Sequence, residues 1–267
     1  MKIVKKSNEI KTILKKYQSY GFVPTMGALH EGHKSLIRKC KKQNKITVVS
    51  IFLNPKQFTN KEDLKKYPSN IKKDISICKS LKVNFLFIPS FKEVYSFKTK
   101  KFKYPKIMKI MEEKYRPGHF IGVIKVIDKL VSIVPAKKMY LGEKDYQQIK
   151  VISDYLEINK TNVKIMKCNT IRYKSGLAIS SRNKRLNNKG LFDASKIINF
   201  VKKFKKNNQN KIFNQKKLKD LLDSKKIKYD YIENINLQKF IRSKRISKNT
   251  KLFIAYYVNN IRLIDNI

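Results

Sequence analysis

Two of the three histidines in this 267-residue chain, His30 and His33, stand three residues apart in the stretch PTMGALHEGH. That spacing, at a turn between an apolar strand and an amphipathic helix, suits phosphate chemistry. The first turn of a helix offers backbone N–H groups and the positive end of its dipole. Two imidazole N–H donors aimed at the same point add charge stabilisation. Gly27 and Gly32 let a nucleotide approach the backbone closely. The plainer alternative is a pair of surface histidines at a helix start.

Four other stretches carry residue types fit for a site. NPKQF follows a buried strand and offers the neutral amides of Asn54 and Gln57, suited to hydroxyl, amide and carboxylate groups. In LGEKDYQQIK, Lys144 suits a phosphate, Asp145 ribose hydroxyls and Gln148 a substrate. SGLAISSRN places Ser180, Ser181 and Arg182 in a loop, and hydroxyls with a planar guanidinium suit a triphosphate. RPGHFIGV holds the third histidine, His119, again beside glycine and arginine. The first three each have a structural alternative: a turn before proline, an ordinary acidic helix start, a domain linker. The chain has no GxxxxGK[ST] loop, no GxGxxG and no GxSxG elbow.

The elements that must position these residues are legible from periodicity. Residues 7–18 read as an amphipathic helix, with Ile10, Ile13, Leu14 and Tyr17 on one face. GFVPT, ITVVSIFL, VNFLFIPS, KMYLG and NVKIMKC read as strands. The helix after the His pair is expected to start near Gly32. Further helices are expected over 68–81, capped by Ser69 or Asn70, over 119–134 and over 145–158. Alternating strands and helices with short connections mean βαβ units and a parallel sheet. Beyond SSRN the texture changes to helices over 187–206 and 215–225 and strands KYDYIENI, KLFIAYYV and IRLIDNI. That predicts a smaller α+β domain from about residue 171. Residues 98–111 are basic and show no clear period.

Composition narrows the function. The formal charge is +44, yet only eight of the 63 basic residues are arginine, the preferred residue for base and phosphate recognition. The lysines are spread over the whole length, which reads as a compositional bias toward lysine, not a nucleic-acid surface. Three scattered cysteines, Cys40, Cys78 and Cys168, form no CxxC pair and predict a reduced, cytosolic chain. The first residues lack the apolar stretch of a secretory signal, and no apolar run is long enough to span a membrane.

Taken together, PTMGALHEGH, VSIFLNPKQF, RPGHFIGV, LGEKDYQQ, GLAISSRN and RLIDN resemble, in order, the pantoate–β-alanine ligase (pantothenate synthetase) family of the nucleotidyltransferase superfamily. The resemblance runs from residue 23 to 266. It implies an α/β fold with a Rossmann-like parallel-sheet N-terminal domain, residues 1–170, that binds ATP and pantoate. A smaller α+β C-terminal domain, residues 171–267, would close over the site. It implies a cytoplasmic homodimer that uses ATP and Mg²⁺ and acts through a pantoyl adenylate. By motif, ATP falls to Met26, Gly27, Ala28, Leu29, His30, Glu31, Gly32, His33, Asn54, Gly142, Glu143, Lys144, Asp145, Ile171, Ile179, Ser180, Ser181 and Arg182. Of these His33 matches the proton donor, His30 its phosphate-binding partner, and Lys144 and Arg182 further catalytic cations. Gln57 matches the glutamine shared by pantoate and β-alanine, and Gln148 a second pantoate ligand.

No protein ligand to the metal is assigned by motif, though Asp74, in the helix after the glutamine loop, is a candidate metal-shell residue. Four positions depart from the usual pattern: Ser69 for arginine, Ser175 for an acid, Ile179 for methionine and Lys125 for threonine. The competing readings are a different nucleotidyltransferase, a basic nucleic-acid binder and a folded scaffold without turnover. The glutamines of NPKQF and DYQQ speak against the first, and the dispersed lysines against the second.

Overall fold

The computed structural model describes residues 1–97 and 101–267. The chain divides into two compact units: Met1–Met108 with Arg116–Thr170, and Lys109–Tyr115 with Ile171–Ile267.

The first unit is built on six strands: β1 Lys2–Val4, β2 Gly21–Thr25, β3 Thr47–Ile51, β4 Phe85–Phe87, β5 Lys138–Gly142 and β6 Lys164–Cys168. They lie in the order β1-β4-β3-β2-β5-β6, and every pairing is parallel. Successive side chains on a strand face opposite sides, so each central strand feeds two cores. Phe22, Val48, Phe85, Phe87, Met139 and Leu141 enter one. Val23, Val49, Leu86 and Tyr140 enter the other. Helices α1 (Ser7–Leu14), α7 (His119–Ile133) and α8 (Tyr146–Ile158) close the first face. Helices α2 (Glu31–Gln43) and α4 (Ile71–Ser80) close the second. Because both faces are covered, the strands read as unbroken apolar runs rather than alternating ones.

Some elements differ from the reading of the sequence. Strand β1 is an addition to it; at three residues, with only Val4 buried, it has too little pattern to show a period. Helix α1 ends at Leu14 rather than residue 18. Helix α2 begins at Glu31, with His30 as its N-cap, one residue before the expected start. Asn70, not Ser69, caps α4, its side chain accepting from the Lys73 N–H. Two five-residue helices, α3 (Lys61–Lys65) and α5 (Phe91–Tyr95), lie in stretches too short for a helical period. Of the unclear segment 98–111, residues 98–100 lie outside the described residues, and 101–110 form no regular element.

The second unit carries an antiparallel sheet of β7 (Tyr229–Asn236), β8 (Thr250–Val258) and β9 (Ile261–Asn266), in that order. Helices α9 (Asn188–Asn207) and α10 (Gln215–Asp223) supply Ile198, Val201, Leu218 and Leu222 to a core with Ile232, Ile254 and Tyr256. The short helix α6 (Met111–Tyr115) belongs to this unit although it comes 55 residues before the rest of it. Its buried Glu112 explains why. The carboxylate accepts from Arg262 Nη1 at 3.0 Å and Nη2 at 2.7 Å, and from the Tyr231 hydroxyl at 2.9 Å. Arg262 also donates Nε to Asp230 at 2.6 Å. Burial works against the guanidinium charge, but the bonds to Glu112 and Asp230 outweigh it and hold Arg262 firmly cationic. Removing one partner of a buried ion pair strands the other charge. Glu112→Ala is therefore expected to destabilise the second unit by about 3–5 kcal/mol. Thermal unfolding followed by calorimetry checks this, and an unchanged transition would contradict it.

Candidate active site

In an open parallel sheet, ligands bind beyond the carboxyl ends of the strands, where the strand order reverses. Here β2 is followed by β3 and β4 on one side, and the chain then returns to place β5 on the other side of β2. Three of the four motifs of the first unit follow the adjacent strands β3, β2 and β5. They therefore share one edge of the sheet at its reversal point.

After β2 the chain turns sharply. Gly27 (φ 84°) and Ala28 (φ 52°) are both left-handed. For alanine that conformation costs roughly 1–2 kcal/mol, and buried Asp74 holds it. One carboxylate oxygen accepts from the Ala28 N–H and the other from the Leu29 N–H, each at 2.8 Å. A Cβ on Gly27 would sit 3.0 Å from the Asp74 Oδ2 and 3.2 Å from Ile51, so a side chain there would press on both as well as strain a left-handed backbone. Thr25 completes the brace: its hydroxyl donates to the Ser50 carbonyl at 2.8 Å and accepts from the Gly27 N–H at 3.2 Å. Asp74, the candidate metal-shell residue, holds backbone with both its oxygens. Ala28 and Leu29 are buried beneath the turn, and Leu29 packs in the core.

The turn delivers His30 and His33 to the first turn of α2, their ring centroids 4.0 Å apart. Both are half-buried, as are Met26 and Gly32. Glu31 points outward and pairs with Lys34 at 2.7 Å and Arg38 at 3.2 Å. The hydrogen bond from Lys34 is the main reason its carboxyl pKa is lowered.

Beyond β3, backbone groups fix the orientation of two side-chain amides. Asn54 is 1% exposed. Its Oδ1 accepts from the Lys56 N–H at 3.2 Å, which can only donate. Its Nδ2 donates to the Gly122 carbonyl at 3.2 Å, which can only accept. The same Nδ2 donates to Gln57 Oε1 at 3.1 Å. The Gln57 amide is thereby turned so that its Nε2 faces the Met26 sulfur, a weak acceptor. Gln57 thus presents a donor that a substrate oxygen can take over. Tyr95 donates its hydroxyl to Asn54 Oδ1 at 2.7 Å. Burial pushes the Tyr95 pKa up to about 12, which keeps that proton in place. Asn54, expected beside the nucleotide, sits beneath Gln57 and orients it. Tyr95 escaped the sequence reading because no motif marks it.

Beyond β5, Gly142 leads into a 3-10 turn, Glu143–Asp145, that opens α8. Lys144 is mostly buried, with Nζ 3.4 Å from Asp145 Oδ1. Gln148 is half-buried on the first turn of α8, and its neighbour Gln147 is buried.

In the second unit, Ile171 and Ile179 close a small hairpin: the Ile179 N–H donates to the Ile171 carbonyl at 2.9 Å, and Arg172 bridges Ala178. Arg172 grips Asp265 of β9 with two bonds, 2.6 and 2.9 Å long, and the Asn266 carbonyl at 3.0 Å. The RLIDN motif thus anchors the loop carrying Ser180, Ser181 and Arg182. Within that loop the Ser180 hydroxyl bonds Asn183 Oδ1, and Asn183 Nδ2 donates to the Ala178 carbonyl at 3.0 Å. The departure at Ser175 is absorbed locally by bonds from Ser195 and Asn199. Lys125 and Ser69 are exposed.

The cysteines are buried thiols. Burial raises Cys40 to about 11 and Cys78 to about 12, which removes them as nucleophiles. Among the described residues no helix is long and apolar enough to cross a membrane.

A family model described as pantoate-beta-alanine ligase matches residues 2–267. The chain belongs to this ligase family. A pantothenate synthetase of Francisella tularensis subsp. novicida (strain U112) is 40% identical over 265 residues, 98% of this chain and 94% of that protein. The crystal structure of the Francisella tularensis pantoate-beta-alanine ligase, complexed with beta-gamma ATP and beta-alanine, superposes with a TM-score of 0.85. It is 39% identical, over 100% of this chain and 97% of that one. The pantothenate synthetase structure from Thermus thermophilus gives 0.91 at 28% identity, covering 100% and 99%. The α/β architecture described above, a parallel six-stranded sheet with a separate antiparallel three-stranded one, is that of the ligase family.

Proposed function

We propose that this ligase condenses pantoate with β-alanine at the expense of ATP, through an enzyme-bound pantoyl adenylate. The observation that carries the reading is a pairing at one sheet edge. Two imidazoles on a helix N-terminus stand with a glutamine whose N–H₂ is fixed facing only a weak acceptor. In the first step a pantoate carboxylate oxygen attacks the α-phosphorus of ATP. A P–O bond forms, the bond to the bridging oxygen breaks and pyrophosphate leaves. In the second, the unprotonated β-alanine amine attacks the acyl carbon. The C–N bond forms, the acyl C–O bond breaks, AMP leaves and the amine loses a proton.

Neither step needs a protein nucleophile; both need alignment and charge stabilisation. In this reading Gln57 and Gln148 hold pantoate without neutralising the attacking carboxylate, and Gln57 also serves β-alanine. His30, His33 and Lys144 balance charge growing on the phosphates, while Ser180, Ser181 and Arg182 do so from the second unit. Residues 1–170 bind ATP and pantoate, and residues 171–267 form the lid. Among the described residues no three His, Cys, Asp or Glu side chains cluster as a metal cage. Mg²⁺ is the metal expected with ATP in this reading, and it would balance further charge on the phosphates. The enzyme is a cytoplasmic homodimer in this reading.

Purified protein is expected to release pyrophosphate from ATP only when pantoate is present, and to yield AMP and pantothenate once β-alanine is added. Folded protein that does neither would overturn the proposal.

A further inference from the structure

The third histidine has no part in the reaction as derived, yet it is the most buried of the three. His119 opens α7 and is 6% exposed. Its Nδ1 lies 2.7 Å from the Gln57 carbonyl oxygen. A carbonyl only accepts, so Nδ1 carries the proton. Its Nε2 lies 3.4 Å from Arg116 Nη1. A guanidinium only donates, so Nε2 presents its lone pair. These two neighbours select the neutral Nδ1–H imidazole. Arg116 Nη2 also points at the Gln57 carbonyl, at 3.4 Å.

One turn further along α7, Gly122 presses on the same loop. A Cβ there would sit 2.0 Å from the Lys56 carbonyl oxygen and 2.8 Å from Gln57 Cα, so only glycine admits this approach. The Gly122 carbonyl in turn accepts from Asn54. The first two turns of α7 thus grip the backbone of the Gln57 loop, while Asn54 grips its side chain.

We infer that His119 is a positioning residue for Gln57: its Nδ1–H holds the Gln57 carbonyl, and through it the amide that takes the substrate. This rests on the role proposed for Gln57 above. His119 works as a fixed donor to backbone, and that separates it from His30 and His33.

The substitutions discriminate. Asparagine places its Nδ2–H where the histidine Nδ1–H stands; glutamine reaches instead toward the Nε2 position. His119→Ala and His119→Gln are expected to lower kcat/KM for pantoate by roughly tenfold or more, the loss of one buried hydrogen bond plus displacement of a reacting group. KM for ATP should stay within about twofold, and His119→Asn should recover most of the loss. If Asn is as impaired as Ala, or if KM for ATP moves equally, the inference falls. Nitrogen-15 NMR of the imidazoles in the unmodified protein tests the same point without turnover. It should show a protonated Nδ1 and an unprotonated Nε2 for His119. An Nε2–H tautomer or an imidazolium would overturn the inference even in an active ligase. A correct tautomer in a protein that does not release pyrophosphate would leave this geometry standing and fell the proposed reaction.

Discussion

Replacing His33 by alanine is expected to lower kcat for pantoate-dependent pyrophosphate release by roughly 10²–10³-fold, the loss typical of one preorganised donor aimed at developing charge. The ring sits in the first turn of α2, 4.0 Å from His30, at the positive end of that helix. Donors held there by the backbone need no rearrangement as the phosphate charge grows. KM for pantoate should change little, because the interaction is realised in the transition state. Circular dichroism should be unaltered, since a half-buried side chain at a helix start contributes little to the core. A variant that keeps its full rate would remove His33 from the chemistry.

Asp74→Ala is expected to damage the same site from beneath. It removes the acceptor of two buried N–H groups and releases a left-handed alanine. Each stranded donor costs about 1–3 kcal/mol, so the first unit should lose on the order of 3 kcal/mol. For a chain of this size that is about 10 °C in the midpoint of unfolding. Asp74→Asn should lie between, because its amide keeps one acceptor and turns a donor toward the other N–H. Both variants should also raise KM for ATP, as the turn that aims His30 and His33 loosens. Calorimetry and initial rates check the two halves separately. An unchanged midpoint would show that the turn holds its own shape.

Asp74 also shows where the sequence stops being informative. It looks like an ordinary acid in the first turn of a capped helix, and nothing local ties it to a turn 46 residues earlier. Tyr95 is equally silent, and so is Glu112, whose partner Arg262 is 150 residues away. His119 did announce itself, as a scarce residue beside glycine and arginine. Its partner, the backbone of the Gln57 loop, could not be read from it.

The sequence by itself determined every strand but β1, most helices, the parallel sheet and the motifs after β2, β3 and β5. Those features are local: apolar runs, helical spacing, an Asn cap and glycine-rich turns act over a few residues. The tertiary structure alone decided which motif residues hold another residue in place. It put Asp74 under the histidine turn, made Asn54 and His119 supports of Gln57, and drew α6 into the second unit. Such assignments depend on hydrogen bonds between segments far apart in the chain, and those form only once the order of the strands has fixed which segments meet.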